Sequence, residues 1–99
     1  MPLHRPMPAH KTEGTAYNLH PATRATEAQR LRHGDVIVPE PGCPVVITAL
    51  RRKYGGVNVT GRYIWQAAHE TAWSVGRYPL AARVAVALPG EYPHTHAEH

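Results

Sequence analysis

The sequence predicts a mainly β protein: one small five-stranded barrel with one short helix, flanked by extended N- and C-terminal arms. Three observations carry this reading. Residues Val45 to Trp65 form two β-rich runs joined by Gly55-Gly56, the pattern of a hairpin. Residues Arg83 to Leu88 alternate strictly, Val84, Val86 and Leu88 on one side and Ala85 and Ala87 on the other. The chain has ten prolines, yet none falls between Val45 and Arg77, as paired strands require.

Residues 1–20 read as an arm. Pro2, Pro6 and Pro8 oppose both helix and sheet pairing. Its large apolar residues are few, Leu3, Met7, Tyr17 and Leu19, too few to offset the entropy of ordering it alone. Those four are the candidate contacts to a partner. Residues 21–33 predict the short helix. Pro21 suits a first turn, Thr26 and Gln29 have capping-box spacing, and Gly34 is a good stop. Ala22, Ala25, Ala28 and Leu31 make a thin apolar stripe, expected to plug one end of the barrel.

Val36-Ile37-Val38 predicts the first strand, and Pro39-Glu40-Pro41-Gly42 a turn-rich linker. The hairpin follows. A two-residue Gly-Gly loop favours a type I′ turn, since both positions need positive φ. The implied register sets Tyr54 opposite Val57, Arg52 opposite Val59, Leu50 opposite Gly61 and Val46 opposite Trp65. One face then holds Val46, Leu50, Val57, Val59, Tyr63 and Trp65, with Thr48 and Arg52 as polar exceptions. The other holds Arg51, Lys53, Asn58, Thr60 and Arg62 near the tip, and Val45, Ile47, Ala49 and Ile64 near the base. This predicts a base covered on both sides and a tip in water. Ala72 to Arg77 predicts a fourth strand, Pro79 to Ala82 a tight turn, and Arg83 to Leu88 the last strand. Residues 89–99 predict a polar, His-rich tail, leaving 21–88 as the folded body.

A chain of 99 residues makes one domain. Its net charge of +4 permits contact with nucleic acid or an acidic surface without demanding it. The single cysteine, Cys43, excludes an intrachain disulfide and a cysteine-built zinc cage. The Met-Pro-Leu-His-Arg-Pro start lacks the apolar core of a signal peptide, and no run is long enough for a membrane helix. The expectation is a protein that works in the cytoplasm or inside a virion or similar particle, without cofactor, metal or small-molecule substrate.

Across residues 34–88 the pattern of one long hairpin and a tight turn before the last strand resembles an SH3-like barrel, or alternatively an OB-like one. Gly34-Asp35-Val36-Ile37 followed by Pro44-Val45-Val46-Ile47 resembles the start of MazF-type toxin endoribonucleases. In that family the two strands stand further apart, and the later part of its pattern is missing here. That resemblance implies RNA cleavage.

Four sets of residues carry chemistry. Arg51, Arg52, Lys53 and Tyr54 at the hairpin tip, with Asn58 and Arg62 across from it, suit phosphate contact and base stacking. Charges there also keep a hairpin from aggregating. Tyr63, Trp65, Trp73 and Tyr78 suit a groove for Pro-rich peptide, although Tyr63 and Trp65 fall on the core face and read as packing. His94, His96, His99 and Glu98 in the tail bind metal only adventitiously, having no core to fix them. His33 with Asp35, and His69 with Glu70, have acid–base composition, but no nucleophile, base and orienting group come together, and Cys43 reads as inert.

The leading expectation is a non-enzymatic assembly subunit, like those of phage virions or other multi-subunit particles. Its arm would lie along neighbouring protein subunits. The alternative is a small barrel that binds nucleic acid through its basic tip.

Overall fold

The computed structural model describes residues 18–92. Six strands form one antiparallel sheet: β1 (Thr23–Glu27), β2 (Val36–Ile37), β3 (Val45–Lys53), β4 (Gly56–Tyr63), β5 (Trp73–Pro79) and β6 (Arg83–Ala87). Their order across the sheet is β1-β6-β2-β3-β4-β5. A single 3₁₀ turn, Ala28–Arg30, follows β1 and packs against β4 and β5 near the opposite edge. The sheet must curl for that contact to exist, giving a half-barrel rather than a flat layer.

Two expectations are corrected here. Among the described residues the strands number six, not five, and residues 21–33 do not form a helix. Thr23 to Glu27 instead pairs with β6, from Thr23 opposite Ala87 to Glu27 opposite Arg83. Thr23 and Thr26 are β-branched and suit a strand. A stripe of alanines buries too little to hold a helix against a full ladder of sheet hydrogen bonds. The 3₁₀ turn does plug the inner face. Ala28 and Leu31 are buried, and the Ala28 and Gln29 amides donate to the Ala82 and Leu80 carbonyls at 2.8 and 3.0 Å.

The central hairpin forms, but its turn is Tyr54-Gly55, not Gly55-Gly56. Tyr54 and Gly55 take φ of +53° and +73°, and Lys53 pairs with Gly56. Arg52 therefore faces Val57, and Leu50 faces Val59. Moving the turn by one residue moves each pairing by two, so near the tip the two faces keep the membership expected of them. At the base they do not. The ladder shifts between Ile47 and Ala49, a bulge at Thr48, whose hydroxyl donates to the Thr60 carbonyl at 3.3 Å. Beyond this bulge Val45 and Ile47 turn to the inner face and Val46 to the outer, the reverse of the regular alternation.

The inner cluster joins Ile37, Val45, Ile47, Val57, Val59, Tyr63, Trp73 and Val84 under the 3₁₀ turn. A fully buried valine or isoleucine contributes roughly 1.5–3 kcal/mol, so this cluster is the main source of cohesion. A second, smaller cluster covers the other face at the base: Val36, Ile64, Ala87 and Tyr92, with Val46 and Trp65 against it. The base is thus covered on both faces, while Arg51, Arg52, Lys53 and Tyr54 at the tip are exposed. Tyr92, in the stretch read as polar tail, is buried, and its hydroxyl donates to the Asn18 carbonyl. Asn18 Nδ2 donates to Glu91 Oε1 at 3.0 Å, so the two ends of the described chain meet. Among the described residues no helix is long and apolar enough to cross a membrane.

Candidate functional site

The hairpin tip is the candidate site, and the sheet sorts its cations. Opposed residues share a face, so Arg51 (β3), Asn58 (β4) and Arg77 (β5) form one row across three strands. Lys53 and Arg62 lie on the same outer face by alternation along β3 and β4. Strands β3, β4 and β5 carry no acidic residue, so nothing on the ribbon itself neutralises this face. Arg52 stands on the opposite, inner side. Its Nη2 donates to the Gln29 carbonyl, tying the tip to the 3₁₀ turn. The three consecutive cations are therefore split, two outward and one spent on the fold.

Arg77 is the residue that local sequence reasoning missed. Its Nη1 donates to the Lys53 carbonyl at 2.8 Å and its Nη2 to the Tyr54 carbonyl at 2.7 Å. It braces the turn and adds charge beside it. Only its register against Asn58 reveals this, and that register depends on a shift in the β4–β5 ladder between Val59 and Thr60. Tyr54 crowns the turn at 86% exposure, the one large apolar side chain so exposed among the described residues. Lys53 Nζ sits 5.2 Å from its ring centroid. An open aromatic face beside unpaired cations matches the two contacts a single strand offers, base and phosphate.

The aromatic set packs rather than lining an open groove. Tyr63 is fully buried, stacked on Trp65 (4.6 Å between centroids, 8° between planes) and tilted against Trp73 (4.8 Å, 49°). Gln66 locks this stack. Its Oε1 accepts the Tyr63 amide at 2.7 Å and the Trp73 indole N–H at 2.9 Å, while its Nε2 donates to Glu70 at 3.2 Å. Tyr78 is half-buried against the same cluster.

The remaining candidates separate. The Asp35 carboxylate accepts the Arg32 backbone N–H at 2.9 Å and closes a turn, and no hydrogen bond joins it to His33. Glu70 is engaged by Gln66, while His69 is exposed. Cys43 is a buried free thiol. Among the described residues no three histidine, cysteine or acidic side chains gather as metal ligands. His94, His96, Glu98 and His99 lie outside the described residues, as do Leu3, Met7 and Tyr17 of the arm. Leu19 is half-buried beside Asn18.

No protein-family model matches this chain, and neither a curated protein nor a solved structure matches it.

Proposed function

We propose that this protein is a non-enzymatic binding module that holds single-stranded nucleic acid on the outer face of its β3–β4 hairpin. Arg51, Lys53 and Arg62 meet phosphates, and Tyr54 stacks on a base. Arg77 holds the tip in shape. The observation that carries the reading is the pairing of a fully presented tyrosine with a cationic face free of acids. The body is then an SH3-like half-barrel, β2 to β6, with β1 added beside β6. The test is fluorescence anisotropy with a short labelled single strand across a salt series. Replacing Arg51, Lys53 and Arg62 by Ala flattens the slope of log K against log salt by about 2 for three lost phosphate contacts. Unchanged slope and affinity overturn the reading.

A second reading is an assembly subunit whose arm contacts neighbouring protein subunits. What supports it is the sheet itself, which leaves β1 and β5 as two open edges able to accept another strand. Deleting residues 1–17 then abolishes co-assembly while leaving the fold intact. Unaltered assembly removes it.

A further inference from the structure

A second cationic feature lies on the inner face, away from the ribbon. Arg24 ends a cross-strand row that runs through Val86, Ile37, Val45 and Tyr63. It therefore stands on the core side of the sheet, at the rim beside β1. There a cleft of 390 Å³ opens, lined by Arg24, Thr26, Arg30, Arg32, Asp35 and Val86. That volume falls at the small end of ligand-holding clefts. Its chemistry is specific. Val86 supplies an apolar wall and Thr26 a hydroxyl. Three guanidiniums come from separate places: a strand, the 3₁₀ turn and the loop after it.

None of these three guanidiniums is engaged in a hydrogen bond or ion pair among the described residues. The one acid of the cleft, Asp35, is already turned to the Arg32 backbone. Glu27, the other acid nearby, faces Arg83 across the β1–β6 ladder and accepts Gln29 Nε2 at 2.7 Å. Three positive charges against one negative leave an excess of two. A phosphomonoester carries about −1.5 to −2 near neutral pH, which matches that excess. Guanidinium forks fit phosphate oxygens two at a time, which a carboxylate would satisfy with one arginine.

We infer that the cleft between β1 and the Arg32–Asp35 turn is a binding site for a terminal phosphate or pyrophosphate group. Arg24, Arg30 and Arg32 clamp the anion, and Asp35 limits its affinity. The inference stands apart from the ribbon and uses none of its residues.

The experiment is NMR of the full chain, observing arginine Nε–H resonances, titrated with inorganic pyrophosphate, a 5′-phosphorylated trinucleotide and its 5′-hydroxyl counterpart. The expected result is shifts at Arg24, Arg30 and Arg32 with the first two ligands and not with the third. Binding of pyrophosphate alone assigns the site to a free phosphate compound, and binding of both to a nucleotide end as well. Arg24→Gln with Arg32→Gln weakens binding at least about tenfold. Asp35→Asn, which keeps an acceptor for the Arg32 amide, tightens it roughly fivefold. Arg51→Ala with Lys53→Ala leaves it unchanged, so failure of the ribbon reading is distinguishable. The inference is overturned if neither phosphate ligand shifts these three resonances, if the 5′-hydroxyl strand shifts them equally, or if Asp35→Asn weakens binding in a folded protein.

Discussion

Arg77 lies across Gly56. A β-carbon built on Gly56 would stand 2.5 Å from the Arg77 guanidinium carbon, inside any real contact distance. Gly56 therefore serves to admit the side chain that braces the turn, and the turn's left-handed positions fall on Tyr54 and Gly55.

Gly56→Ala is expected to destabilise the protein by about 1–2 kcal/mol, because the displaced arginine gives up its two bonds to turn carbonyls. Gly61→Ala is expected to cost more. Its added carbon meets the Val46 carbonyl oxygen at 2.5 Å and Val45 Cγ1 at 2.6 Å, and backbone cannot swing aside. Urea melts of both variants check the order. In a cycle with Arg77→Ala, the Gly56 effect shrinks, as coupled neighbours require. Equal penalties at positions 56 and 61 contradict the account.

Tyr54 holds φ of +53°, a region that costs an ordinary residue roughly 1–2 kcal/mol. Tyr54→Asn is expected to raise the melting temperature by roughly 4–8 °C per kcal/mol recovered. The same change is expected to weaken single-strand binding about tenfold by removing the stacking face. Calorimetry and anisotropy on one sample measure both. Higher stability with undiminished binding would exclude Tyr54 as a contact.

Gln66→Leu leaves the Tyr63 amide and the Trp73 indole without their acceptor. A loss of about 2 kcal/mol is expected from the two hydrogen bonds broken near the core. Thermal unfolding followed by tryptophan fluorescence reads it. A change within experimental error would mean water replaces the amide.

Burial, with the neighbouring Glu91 carboxylate second, pushes the Tyr92 phenol up from 10.0 to about 12. The folded state then holds this proton more tightly than the unfolded state. The associated stability is whole below pH 10 and is lost as pH climbs toward 12. Tyr92→Phe lacks the bond to Asn18 and starts less stable at pH 8 by about 1 kcal/mol. Its stability declines less between pH 10 and 12. Parallel curves for the two proteins across that window refute the assignment.

Strands β2 to β6 were legible because each carries its own local pattern: alternation in β6, β-branched runs in β3 and β4, Trp73 and Val75 in β5. The sharing of one face by Arg51, Lys53, Asn58 and Arg62 was legible for the same reason. β1 was not. Thr23 to Glu27 has alanines spaced for a helix, and only pairing with residues some sixty positions away decides for a strand. The turn was misplaced because Tyr is a poor left-handed residue, while Gly56 is glycine for a contact made by Arg77. No local rule exposes that contact, and none exposes the arginine cleft, whose three walls are joined only by folding.

The bulge at Thr48 has its own consequence. With it, Val45 and Ile47 face one interior and Val46 the other, so a single strand serves two packed layers. Spacing along β3 is then as binding as identity. Excising position 48 would leave Ile47 and Ala49 as neighbours on Gly61 and Thr60, each side chain keeping its side, whereas drawing Thr48 into the ladder as a regular paired residue would throw every side chain from Val45 to Ile47 onto the wrong side.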